Sequence, residues 1–286
     1  MNPASLPPAW TAGMRRRIEL ALDTAFTARP QTEVLRAARY VTLGGGHRWR
    51  GLLAVAAGAI FRRDAETCVL PLAAALEMMH AASLVLDDLP SMDNAAMRRG
   101  KACVHLVFPE WVVDLLPAYL VNQAYGLAVS NAAVPAECRI RSLQLLAEMG
   151  AGLARGQERD LQLAVQRVSA ADLLECYELK SGSLFAAALA GGALLCGAGE
   201  AEAAGLRSAG LKLGQAYQIL DDLADGPEED SEYRDAGRCT AWTLFGTEAA
   251  RVRAQGLLDE VGQALDRFGA AAAPLRGVLA EILTGS

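Results

Sequence analysis

Apolar residues recur at helical spacing along almost the whole chain, and this periodicity leaves few folds open. It breaks only at short punctuation: Pro30, the run Gly44-Gly45-Gly46, Pro90, Pro109, Pro135 and the pair Gly226-Pro227. Glycine and proline end helices readily, glycine through its conformational freedom and proline through its missing N–H. The breaks predict helices over about residues 12–28, 32–43, 49–61, 65–88, 109–131, 135–166, 170–196, 200–225 and from 247 to the C-terminus. Polar loops are expected at about 91–105 and 226–240. Ala and Leu dominate, and both lose little on entering a helix. Nothing reads as paired strands, so the expected fold class is all-α. With no interdomain linker or low-complexity tract, residues 1–286 are expected to form a single domain. A hydrophobic fraction of 52% gives that domain a sizeable core.

The formal net charge of −6 argues against a nucleic-acid partner. The six cysteines are scattered without metal-ligand spacing and read as reduced thiols in apolar or mixed segments. The proline-rich start has no apolar core of the kind a signal peptide needs, and Arg15, Arg16 and Arg17 read as a solvated helix face. The apolar stretch 184–198 stops short of a membrane span. A cytoplasmic protein with no membrane span is expected.

Two aspartate clusters carry the chemistry. The first is Asp87-Asp88 followed by Asp93, and the second is Asp221-Asp222 followed by Asp225. Each closes a strongly apolar helix. Asp221 and Asp225 share one helical face, where like charges repel, and a helix C-terminus disfavours anions. Either cluster alone reads equally well as a solvated acidic helix end; two of the same form point to a bound cation. Carboxylates without Cys or His beside them favour a hard ion. Magnesium suits best, since it takes one or two carboxylates and completes its shell with water and phosphate oxygens. The alternating ligands of a calcium loop are missing.

A magnesium-bound phosphate calls for cations nearby. Arg98-Arg99-Gly100-Lys101 follows the first cluster, and Gly44-Gly45-Gly46-His47-Arg48-Trp49-Arg50 lies upstream. Arg donates two hydrogen bonds to phosphate at once, and glycine lets backbone amides approach an anion closely. Any one of these Arg could equally be a surface charge. His80 stands about two turns before Asp87 on the same helical face; alone it would read as a core histidine.

The ordered set resembles the trans-prenyl diphosphate synthases. It comprises Gly-Gly-x-Arg-x-Arg, His80, Asp87-Asp88-x4-Asp93, Arg98-Arg99-Gly100-Lys101, Gly156-Gln157, Lys180-Ser181-Gly182, and Gln218 with Asp221-Asp222-x2-Asp225. It runs from about residue 35 to 250, with the bacterial and plant spacing of the first cluster. The resemblance implies an isoprenoid synthase-type helical bundle around a deep central cavity, usually in a homodimer. It implies three magnesium ions on Asp87, Asp88, Asp93, Asp221, Asp222 and Asp225. An allylic prenyl diphosphate would be ionised there with help from Arg98, Lys180 and Gln218. Asp87, Asp88, Lys180, Gln218 and Asp221 form the implied catalytic set, with Ser181 and Arg238 as further substrate contacts. Isopentenyl diphosphate would bind His47, Arg50, His80 and Arg99, and its double bond would attack the cation. The small Ala82 and Ser83, five and four residues before Asp87, imply a product of about twenty carbons, geranylgeranyl diphosphate, with farnesyl diphosphate as the shorter option.

The chain departs from that family at several points. His47 stands where Lys is usual, Ala95 and Ala96 where acidic residues are common, and Leu86 where His is frequent. Asn122-Gln123 replaces Gly-Asp, Arg234 and Arg238 replace lysines, and a basic tail is missing before Ser286. These leave the ionising aspartates intact and alter the isopentenyl diphosphate side. The alternatives are therefore a terpene synthase or diphosphate lyase acting without isopentenyl diphosphate, and an inactive regulatory subunit.

Overall fold

The computed structural model describes residues 8–27, 30–163, 168–224 and 239–284. Four helices make the first half: α1 (Pro8–Thr27), α2 (Glu33–Thr42), α3 (Trp49–Gly58) and α4 (Ala65–Asp87). The helices α5 (Glu110–Ala128), α6 (Ala136–Leu163), α7 (Ala170–Tyr177), α8 (Ser183–Leu195) and α9 (Glu200–Ala224) follow. The last are α10 (Ala241–Phe245), α11 (Thr247–Asp266) and α12 (Ala273–Thr284).

The starts of these helices follow from local chemistry. Thr32 accepts a hydrogen bond from the Leu35 N–H and opens α2; capping boxes at Ser169 and Thr240 open α7 and α10. Every residue of α8 is buried, which its run of Ala, Leu and Gly permits without stranding a polar side chain. It forms the axis of the bundle, packed against α3, α4, α6 and α9. α4 is long and apolar enough to cross a membrane by length and composition, but most of it is buried in the core. A second, smaller core joins α7, α9, α10 and α11 through Leu173, Tyr177, Ile219, Ala241 and Ala254.

Three details depart from the sequence expectation. The segment expected as a loop holds a hairpin, β1 (Met97–Arg98) paired antiparallel with β2 (Lys101–Ala102), and a 3-10 turn at Val104–Leu106. Its two central residues, Arg99 and Gly100, take φ of 53° and 74°, the left-handed pair that a tight hairpin turn requires. The helix expected over 170–196 contains a π-helical segment, Glu178–Gly182, between α7 and α8. The helix expected from 247 onwards breaks at a 3-10 turn, Gly269–Ala272, before α12.

Close backbone contacts hold the π segment. A Cβ on Gly156 of α6 would lie 2.3 Å from the Lys180 nitrogen, and one on Gly214 of α9 would lie 2.2 Å from the Gly182 Cα. Only glycine fits at these crossings, so α6 and α9 clamp the π segment from two sides.

Candidate functional site

α4 and α9 both end at one cavity of about 560 Å³. This is the size of a pocket for a small-molecule ligand, roughly 300–1,000 Å³. Along α4 its lining runs from Met79 through Ala82 and Ser83 to Asp87, about 12 Å at the helical rise. Around Asp87 the wall is charged, with Arg98, Arg99, Lys180 and Asp221. The rest of the lining includes the apolar side chains of Pro117, Val121, Leu153 and Leu184. The site thus joins an ionic end to a hydrocarbon trough.

The two aspartate pairs divide their work in the same way. Asp87 and Asp221, the first of each pair, line the cavity. The Asp87 carbonyl accepts from the Asp93 N–H at 2.9 Å, which folds Asp93 back beside it. Burial pushes the Asp87 carboxyl up to about 6; Lys180 opposes this and Asp93 adds to it. Asp88 is instead buried, 4% exposed, and takes both prongs of Arg98: Nε at 2.9 Å and Nη2 at 2.5 Å. Asp222 accepts from the Tyr177 hydroxyl, from the Ala241 N–H at 2.8 Å and from Gln218 Nε2 at 3.2 Å. Asp225 and Arg238, both expected at the site, lie outside the described residues.

The cations are gathered with one exception. Arg50 lines the cavity with its guanidinium 5.0 Å from the Phe185 ring centre, and its buried Nε has no hydrogen-bond partner. Arg99 donates to the Gly45 carbonyl at 2.8 Å and lies 3.4 Å from His80 Nε2. Arg can only donate, so this contact is a hydrogen bond only where the imidazole nitrogen is unprotonated. Burial holds the His80 pKa well below the usual value, helped by Arg50 and Arg99. His47 is the exception. It is exposed, absent from the cavity wall, and stacked on Trp49 with ring centres 5.1 Å apart.

On the far wall Lys180 and Ser181 sit in the π segment, where a widened turn re-aims side chains. Lys180 pairs with Asp160 of α6 at 2.6 Å, and Ser181 donates to Gln218 Oε1 at 2.7 Å. Asp160 and Tyr177 were not foreseen from the sequence. Asp160 stands three residues after Gln157, one helical turn on, and that spacing was the available signal. Tyr177 offered none, because its partner is 45 residues away.

Known proteins share both the sequence and this fold. The polyprenyl synthetase family profile matches residues 31–262. A dimethylallyltranstransferase of Fischerella ambigua is 33% identical, over 97% of this chain and 83% of its own. A geranylgeranyl diphosphate synthase of Pseudescherichia vulneris is 35% identical, over 82% of this chain and 80% of its own. A geranyltransferase of Helicobacter pylori, solved with magnesium and isoprenyl diphosphate, superimposes with a TM-score of 0.81 at 26% identity, covering 99% of this chain and 98% of the other.

Proposed function

Because the chain belongs to the polyprenyl synthetase family, we propose that it is a magnesium-dependent trans-prenyltransferase that joins an allylic diphosphate to isopentenyl diphosphate. The observation that carries this reading is the cavity itself: acidic helix ends and Arg and Lys side chains at one end, a hydrocarbon trough at the other. It acts as one helical domain, a reading supported by α9, which contributes to both cores.

The donor set suits magnesium. Asp87, Asp93 and Asp221 offer oxygen only, and the raised Asp87 pKa reports a carboxylate whose charge a divalent cation would stabilise. Among the described residues no three His, Cys, Asp or Glu side chains converge on one point. Water and substrate phosphate would therefore complete the shell, as magnesium prefers. The resemblance implies three ions, with Asp87, Asp88 and Asp93 as ligands on one side and Asp221, Asp222 and Asp225 on the other; of the described members, Asp87 and Asp221 line the cavity, while Asp88 and Asp222 are held by protein donors. When bound, magnesium supplies positive charge that stabilises the departing diphosphate.

The remaining steps belong to the protein's own groups. Lys180 and Arg98 face the allylic diphosphate and add fixed positive charge where the leaving group develops its own. Arg50, Arg99 and neutral His80, which all line the cavity, form the second anion site, for isopentenyl diphosphate. This site does not need His47, which removes the ground for a lyase acting without isopentenyl diphosphate. The trough excludes water from the cation and measures the growing chain. The small Ala82 and Ser83 leave room for a product of about twenty carbons.

Two copies pair through the exposed apolar side of α5. Trp111 is 55% and Leu115 54% exposed one turn apart, with Leu106 and Val107 exposed just before the helix. Light scattering should give twice the chain mass of 30.2 kDa; the single mass would refute the pairing. The unbonded cysteines fit a reducing, cytoplasmic compartment. The activity is tested by transfer of label from isopentenyl diphosphate into acid-labile prenyl product. Transfer should stop in EDTA and return with magnesium, and transfer that persists in EDTA contradicts the proposal.

A further inference from the structure

The hydrogen bonds behind Gln218 form a chain whose direction is fixed by chemistry. Asp222 as a carboxylate can only accept, and it accepts from the Tyr177 hydroxyl and the Ala241 N–H on Oδ2. A phenol carries its proton at neutral pH, so the Tyr177 hydroxyl is the donor in this pair. Gln218 must then turn its NH2 to Asp222 Oδ1, 3.2 Å away, and its carbonyl towards Ser181. Ser181 has one proton, and it goes to that carbonyl at 2.7 Å. The Ser181 oxygen is left with lone pairs and no proton to offer the cavity, which Ser181 and Gln218 both line.

Tyr177 itself is 5% exposed and does not line the cavity. It is the last residue of α7, four residues before Ser181, so the junction of α7 with the π segment carries both ends of the chain. We propose that Tyr177 is a positioning residue: its hydroxyl holds Asp222, Asp222 orients the Gln218 amide, and the amide keeps the Ser181 oxygen electron-rich towards the developing allylic cation. Asp222 serves that chain through its protein contacts. The proposal rests on the prenyl-transfer reading above.

The test compares wild type, Tyr177→Phe, Ser181→Ala and the double variant, full-length, with magnesium, geranyl diphosphate and isopentenyl diphosphate. Tyr177→Phe should lower kcat about tenfold, the effect of one well-placed hydrogen bond. KM for both diphosphates and the magnesium affinity by calorimetry should stay within about twofold. The double variant should be no slower than Ser181→Ala alone, because both changes break one chain. Multiplicative losses, an unchanged kcat, or a fall in magnesium affinity would each overturn the proposal. Should Tyr177→Phe not fold, difluorotyrosine at 177 keeps the ring in place and changes only the acidity of the hydroxyl. An altered kcat then supports the chain and an identical one overturns it. A wild type that transfers no prenyl group overturns the functional reading and this proposal with it; an active wild type with an unaffected Tyr177→Phe overturns the proposal alone.

Discussion

His80 shows how one residue couples stability to the site. It is held neutral among Arg50, Arg99, Arg98 and Arg48, with burial as the leading cause. The unfolded chain binds a proton on this imidazole below its ordinary value of 6.5, and the folded protein does not. Protons therefore favour the unfolded state, and stability is lost as pH falls below 6.5, with a limiting slope of about 1.4 kcal/mol per pH unit for one proton. His80→Gln removes the titration while keeping a neutral polar group. Thermal melts from pH 7.5 to 5 should converge or cross for the two proteins; parallel curves would show that His80 does not resist protonation. The residue types of the site were legible in the sequence because like charges at helix ends and arginines beside glycine need a reason. The partners Asp160 and Tyr177 were not, since each is defined by a contact between helices distant in sequence.

At the scale of elements, periodicity located the long helices, whose ends carry Gly, Pro or a capping residue. It could not show the π segment, because an added residue in one turn leaves no proline or other break in the run from 170 to 196. It also missed the hairpin at 97–102, whose only cue was Gly100 after Arg99. The π segment is the element on which the site depends most. Gly156→Ala would place a methyl 2.3 Å from the Lys180 nitrogen and force α6 and the π segment apart. Overpacking of this kind costs about 1–3 kcal/mol. Activity should fall more steeply than the melting temperature, since Lys180 and Ser181 move together; a variant with normal kcat would show that their placement is not critical. On α4, Ala82→Phe should fill the trough behind Asp87 and shorten the product by one or more five-carbon units in mass spectrometry, whereas an unchanged product length would remove Ala82 from the floor.

For the whole molecule, the helical class and the central cavity follow from an Ala- and Leu-rich sequence with two long helices that both carry aspartate in the last turn. That these ends share one cavity with Lys180 was implied by the ordered motifs and not by periodicity, and that His47 lies outside it was not legible at all. Those two facts favour chain elongation over ionisation alone, because Arg50, His80 and Arg99 stay grouped for a second diphosphate. The most direct test incubates the enzyme with magnesium and geranyl or farnesyl diphosphate, with and without isopentenyl diphosphate, and analyses products by mass spectrometry before and after phosphatase. Longer prenyl alcohols that appear only with isopentenyl diphosphate, and only after phosphatase, are the predicted result. Hydrocarbon or alcohol released without isopentenyl diphosphate and before phosphatase would contradict it.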